Sequence, residues 1–304
     1  MLKRIAFTAL SMSFTFIAYG QELEPGSRWS TIAFSEHTVF PDITYKKSNG
    51  RDIKLDVIRA GNPSQVRPTV VFIHGGGWVG GSKENHVLFV LPYLSRGMNV
   101  VNVEYRLASE SLAPAAVEDC RCALRWVYRH AKEHGFDVSK LVVAGESAGG
   151  HLSPTTGMLD QDAGFDNDCP PDQAPTVGPS KVAAIVNYCG ITDVADLLEG
   201  PHRQAFAVMW LGSQLNRAEL ARRVSPLTYV RQGLPPTIIV HGDEDATVPY
   251  QHGVRLHEAL DRAGVPNQLV TIPGGKHWGW PREQYLRAQQ AVFTFLEQHG
   301  VLTR

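Results

Sequence analysis

The sequence predicts an α/β protein built on a doubly wound, mostly parallel sheet. Three observations carry that reading. From residue 40 onward, short β-like runs alternate with longer segments of helical period. Several of the runs are apolar throughout, as for strands covered on both faces. The series opens on Ser48-Asn49-Gly50 between two such runs, the signature of a tight hairpin and so of an antiparallel start.

Taken in order, residues 43–47 and 52–58 are the two arms of that hairpin. Residues 69–73 form a continuous apolar, β-branched strand, and residues 85–96 have helical spacing. Residues 100–104 are the next strand. Pro114 opens a long helix to about His134, with Val117, Cys120, Leu124, Val127 and Ala131 on one face. Residues 141–144 are a strand, followed at once by Gly145-Glu146-Ser147-Ala148-Gly149-Gly150 and a helix. Strands follow at 182–188, 237–240 and 268–272, with helices over 250–263, stopped by Gly264, and over 282–298. Two excursions break the rhythm, 160–181 and 190–236, and long connections of this kind tend to be lids or binding surfaces. There is no repeat and no linker, so residues 21–304 read as one domain.

Composition narrows the function. Of 304 residues, 43% are hydrophobic and 19% charged, which excludes a disordered, collagenous or coiled-coil chain. Twenty-nine Lys and Arg against thirty Asp and Glu leave a net charge of -1, so no long-range field attracts nucleic acid. Residues 1–20 have a charged start, a short apolar run and the small residues Ala18 and Gly20 before Gln21. They read as a secretory signal peptide cleaved near Gly20/Gln21, which makes the mature protein secreted or periplasmic, with no membrane attachment after removal. The chain has four cysteines. Cys120 and Cys122, two apart on a helix, point to different sides and should not pair with each other. Cys169 and Cys189 would close a loop of about 20 residues if bridged, and otherwise are two buried thiols.

Gly145-Glu146-Ser147-Ala148-Gly149 is G-x-S-x-G, placed between a strand and a helix as its chemistry needs. A sharp turn there lifts the serine oxygen clear of the sheet, and the helix N-terminus faces developing negative charge. His74-Gly75-Gly76-Gly77-Trp78 follows the 69–73 strand, and three successive glycines suit a loop whose amides converge on an oxyanion. His74 reads as a structural ring and Trp78 as a packing residue. A serine nucleophile needs a base, and the base needs an orienting carboxylate, both at strand ends. The 237–240 strand runs into Asp243, Glu244 and Asp245, and spacing alone does not choose among them. The 268–272 strand runs into a Gly-rich loop holding His277, which alone of twelve histidines is late enough in the chain and so placed. His130 and His134 lack the glutamate and third ligand of a zinc helix, and His252 and His257 lie on a helix of surface type.

Together, H-G-G-G-W, Val103-Glu104-Tyr105-Arg106-Leu107, Pro114-Ala115-Ala116-Val117-Glu118-Asp119, G-E-S-A-G-G-H and H-G-x-x-D-x-x-V-P resemble the bacterial α/β-hydrolase carboxylesterases. The similarity is nearest to the hormone-sensitive-lipase-like and the feruloyl and acetyl-xylan esterase groups, and it covers residues 40–300 in order. It implies the α/β-hydrolase fold, Ser147 as nucleophile, His277 as base and then acid, and Asp245 as the carboxylate. It also implies the N–H groups of Gly76, Gly77 and Ala148 as the oxyanion hole. The short stretch before His74 departs from the group's usual helical cap, so the cap should be small or missing. The site would then be open, and its substrate-facing surface would come from 160–181 and 190–236. Asp160, Asp162, Asp166 and Asp168 do not match a calcium loop and read as a solvated acidic surface.

The expected activity is hydrolysis of carboxylic esters through an acyl-enzyme, with no metal and no organic cofactor. The substrate would be a small or polysaccharide-linked ester, either short-chain or an acetyl or feruloyl ester of plant cell walls. An arylformamidase-type amide hydrolase and a non-catalytic binding module on the same fold are the alternatives. A peptidase of the prolyl-oligopeptidase type would need a propeller domain for which the chain is too short.

Overall fold

A computed structural model describes residues 25–61, 65–171 and 181–303. The expected signal peptide and residues 172–180 lie outside the described residues. The chain divides into two compact units, residues 1–35 and 36–304. The first contributes helix α1 (Pro25–Glu36), and everything below concerns the second. Among the described residues no helix is long and apolar enough to cross a membrane.

Strands β1 (His37–Ser48) and β2 (Arg51–Ala60) form the expected hairpin. Its Asn49 and Gly50 both adopt positive φ, 52° and 75°, as a tight two-residue turn demands. Next come β3 (Arg67–Ile73), α2 (Leu91–Ser95), β4 (Asn99–Val103), α3 (Ala115–Arg129) and α4 (Ala131–His134). After them come β5 (Phe136–Glu146), α5 (Ala148–Met158), β6 (Ala184–Tyr188), α6 (Ala205–Leu211) and α7 (Arg217–Arg223). The chain closes with β7 (Thr237–Gly242), α8 (Gln251–Arg262), β8 (Asn267–Ile272) and α9 (Arg282–Gln298). The eight strands lie in the order β1-β2-β4-β3-β5-β6-β7-β8. The β1–β2 and β2–β4 pairs are antiparallel and the rest parallel.

Both faces of the sheet are covered, which is why its central strands show no polar alternation. Val71, Ile73, Val143, Ile185 and Ile239 face one core, which α3, α5 and α8 fill with Val117, Leu124, Leu152, Leu256 and Leu260. Val70, Phe72, Val142, Val186 and Val240 face the other, closed by Tyr93 and Leu94 of α2 and by Val292, Phe295 and Leu296 of α9.

The 85–96 helix is shorter than its spacing suggests. Pro92 has no amide to donate and stands in the first turn of α2, so the α-helix begins there, behind one 3₁₀ turn at Val87–Val90. The long helix from Pro114 breaks at His130 into α3 and α4, and Gly135, with φ of 69°, stops it.

Cys169 is bridged, and its partner is Cys122 of α3, not Cys189. Cys120 and Cys189 are buried free thiols. The cause is the path of residues 160–171, which turn back along α3. There Asp166 meets Arg121, with Nη2 to Oδ2 at 2.8 Å, and Asp160 meets Arg231 at 2.6 Å. Asp168 meets Arg106 at 3.2 Å and Lys46 at 2.5 Å. Asp160, Asp166 and Asp168 are thus ion-paired, while Asp160, Asp162 and Asp168 are exposed, as expected of a solvated acidic surface. The same network includes a fully buried Lys46, 2.8 Å from Asp119, on which Arg106 also closes in a fork. A charge so buried is tolerable only when paired and hydrogen-bonded, as all three are.

Candidate active site

Strand β5 delivers the chain at Glu146 and α5 takes it up at Ala148, with one residue between them. Ser147 therefore sits at φ 55°, ψ -116°, a backbone that a residue with a Cβ adopts only under constraint. Its N–H is held by the carbonyl of Tyr188 at 2.8 Å. Gly149 is required by space, because a Cβ there would lie 2.0 Å from the carbonyl oxygen of Ile73 at the end of β3.

The loops after β7 and β8 bring the other two residues to the serine. His277 Nε2 is 2.9 Å from Ser147 Oγ, and its Nδ1 is 2.6 Å from Asp245 Oδ2. Asp245 Oδ1 accepts the amides of Thr247 and Val248 at 2.8 and 2.9 Å. His241 Nε2 stands 3.3 Å from Oδ2. Burial alone would raise this carboxyl's pKa. The bonds from His241, His277 and the Val248 amide outweigh it and hold the group well below the usual carboxylate range. Of the three carboxylates left open by spacing, Asp245 is thus the one on the imidazole. Asp243 instead receives the amide of Gly274 at 2.7 Å, tying the two loops together, and Glu244 is exposed. An anion on one side of the ring and a hydroxyl on the other give His277 a fixed orientation for proton transfer.

The Gly75–Gly77 loop is held from behind. Gly75 N–H donates to Glu146 Oε1 at 2.7 Å, and Tyr105 Oη donates to the carbonyls of His74 and Gly75. The His74 ring stacks on Tyr105 at 4.2 Å, with its Nδ1 2.7 Å from the Gly75 carbonyl, so it is structural as expected. Trp78 is buried and stacks on Trp210 at 4.1 Å, so it packs, also as expected. Its Nε1–H donates to His151 Nδ1 at 3.2 Å, and His151 Nε2 donates onward to the Val224 carbonyl. Burial pushes the His151 pKa down to about 4. Gly77 has φ of 61°, and Phe206 of α6 lies against it. The 190–236 excursion therefore reaches the site. No hydrogen bond among the described residues engages the amides of Gly76, Gly77 and Ala148.

Two residues escaped the sequence reading. Glu146 lies at the inner end of β5, and His86 Nε2 is 2.8 Å from the same Oε1 that binds Gly75. An acidic residue closing a buried strand needs a partner, and that was the available signal. One histidine is corrected. His252 is fully buried, because α8 turns its 252, 256 and 260 face to the sheet. Its Nδ1 accepts the Thr192 amide at 3.1 Å and its Nε2 is 3.2 Å from Asp196, and burial pushes its pKa down to about 3. His130 and His134 pack on Trp126. Among the described residues, Cys189, His241 and Asp245 are the group whose ligand atoms lie near enough to hold a metal, within 4.8 Å of one another.

The BD-FAE family model matches residues 55–260. Esterase LipC of Mycobacterium tuberculosis is 29% identical over 232 residues, which are 73% of this chain and 56% of LipC. The chain thus spans little more than half of that relative. Carboxylesterase NlhH of the same organism is 32% identical over 242 residues, 76% of this chain and 74% of NlhH. The thermophilic esterase Est2 of the planctomycete Thermogutta terrifontis, solved with propionate bound, superposes with a TM-score of 0.72 at 31% identity. That match covers 86% of this chain and 95% of Est2.

Proposed function

We propose, for a chain that belongs to the BD-FAE family and has the α/β-hydrolase fold, that it is a serine carboxylesterase working through an acyl-enzyme. The observation that carries this reading is the unbroken relay from Asp245 through His277 to Ser147, at 2.6 and 2.9 Å. Ser147 Oγ attacks the ester carbonyl while His277 Nε2 takes its proton, and Asp245 steadies the imidazolium through Nδ1–H. The tetrahedral oxyanion receives the amides of Gly76, Gly77 and Ala148. The alcohol leaves with the proton from His277. Water then repeats the sequence on the acyl group and frees Ser147.

Short acyl groups suit this reading, since Est2 of Thermogutta terrifontis has been solved with propionate and with butyrate bound. Acetyl and feruloyl esters of plant cell walls belong to the same proposal through the family resemblance, as does an exported protein through residues 1–20. The test is release of p-nitrophenol from acetate, butyrate and octanoate esters by wild type beside Ser147→Ala. Loss of activity in the variant and decline with acyl length are expected, and equal rates in both proteins would sink the assignment. Paraoxon, which phosphorylates the Thermogutta esterase, should label one peptide here, the one containing Ser147.

A further inference from the structure

Trp278 follows His277 in the chain, and the two rings meet edge to face at 5.5 Å. Trp278 is also one wall of a cleft of about 290 Å³, shared with Leu88, Phe89, Trp280, Tyr285 and Tyr188. Phe89 meets Trp278 at 5.3 Å, and Trp280 stacks beside it at 5.8 Å. The carbonyl of Tyr188 is the group that holds the Ser147 amide. Through Trp278 the cleft adjoins the base, and the backbone of Tyr188, another of its lining residues, holds the nucleophile's amide. No side chain lining it is charged. Gln289, Tyr188 and Tyr285 bring polar side-chain atoms to its lining: the buried Gln289 Oε1 has no partner among the described residues, the Tyr188 hydroxyl meets that of Tyr93, and the Tyr285 hydroxyl accepts the Gly279 amide. Leu88 on the rim is 71% exposed, so an apolar wall faces water until something covers it.

The proton donor fixes what that something is. His277 Nε2 must reach the leaving oxygen, so the group on that oxygen lies beside the His277 ring, whose aromatic neighbour is Trp278. We propose that this cleft is the leaving-group subsite and takes an alcohol bearing an aromatic ring, packed against Trp278 and Phe89. A ring with offset or edge-on contacts to such walls gains binding beyond its buried area. A sugar would bring several hydroxyls to walls that are mainly aromatic and aliphatic, and unpaired buried hydroxyls are costly. The inference rests on the serine esterase reading and adds the class of alcohol to it.

Benzyl and ethyl acetate test it, because they share the acyl group and have leaving groups of similar basicity. Wild type should favour benzyl acetate in kcat/KM by about ten-fold, through KM. Trp278→Ala should bring that ratio close to one, and so should Phe89→Ala, which touches none of Ser147, His277 and Asp245. A wild-type ratio near one, or a ratio that both variants preserve, overturns the proposal. Benzyl alcohol binding to Ser147→Ala, read by quenching of tryptophan emission, separates the two claims. Saturable binding weakened by Phe89→Ala supports the cleft even if neither ester is hydrolysed, in which case the esterase reading alone falls. Absence of binding overturns the cleft even if both esters are hydrolysed.

Discussion

His86 and Glu146 are joined at 2.8 Å through the very carboxylate oxygen that receives the Gly75 amide. The other ring nitrogen of His86 lies 3.1 Å from the Ser82 carbonyl. Both nitrogens thus face oxygen acceptors, and both bonds exist together only when the ring is an imidazolium. Glu146 is the main cause of a pKa raised above 6.5, working against partial burial and helped by the Ser82 carbonyl and Glu104. The neighbouring His74 ring, at 5.6 Å, and Phe89 complete the surroundings.

The sign of the effect follows. The raised pKa makes this contribution complete below pH 6.5 and lost as pH rises through the folded-state value. The loop that carries Gly76 and Gly77 should then slacken, and kcat should decline on the alkaline side. His86→Gln should lower kcat at neutral pH by roughly ten-fold, less than the loss of an oxyanion donor outright. It should also flatten the alkaline limb. A pH–rate profile of the variant that keeps the wild-type limb would remove His86 from this role.

Asp245→Asn should leave the fold intact and cut kcat by roughly 10³–10⁴, because an amide no longer fixes the tautomer of His277. Asp243→Asn and Glu244→Gln should each stay within roughly ten-fold of wild type, since an oxyanion-hole donor alone is worth about 10²–10³ and neither carboxylate touches His277. Steady-state kinetics on one p-nitrophenyl ester ranks the three. A larger loss at Asp243 than at Asp245 would contradict the relay.

Cys122→Ser should destabilise without changing kcat. The bridge spans 47 residues, and closing such a loop is worth about 4 kcal/mol on the chain-entropy account. In a protein of this size that corresponds to a Tm lower by roughly 10 °C. Calorimetry of wild type with and without reductant should reproduce the shift, and an unchanged Tm in both experiments would count against the bridge.

His151 should make the fold acid-sensitive. Its folded pKa of about 4 lies below the ordinary histidine value of 6.5, so the unfolded chain binds this proton first. Stability is complete above pH 6.5 and falls as the pH drops toward 4, by about 3 kcal/mol in all. His252, lowered for the same reason, acts with the same sign. Thermal melts across that range should show the decline, and His151→Gln should make it shallower. A slope identical to wild type would rule His151 out as its source.

Much of the molecule was legible from pattern. Strands buried on both faces are apolar runs, and each catalytic-type motif sat at the end of one, so the sheet, Ser147 and His277 could be placed, whereas the choice of Asp245 over Asp243 and Glu244 came from the family resemblance. What escaped depends on contacts between distant segments. The pairing of Cys122 with Cys169 follows from a loop that doubles back on α3, drawn there by Arg121 and Arg106, and no local period encodes that path. The burial of His252 was hidden because a mainly polar helix was read by composition, while its inward row is His252, Leu256 and Leu260. The aromatic cleft did leave a trace in Trp278, Trp280 and Tyr285, three rings crowded around a Gly-Trp-Pro turn.

Ser147 and His277 meet across 130 residues of chain. Everything between them, including β6, β7 and β8, must be paired in register before the imidazole can reach the hydroxyl. Contacts of such sequence separation form late, because the closure of long loops has to be met first. Regained turnover is therefore a clock for the last stage of refolding. It should lag behind the return of helical signal, and partly folded chains should be dark to any ester assay.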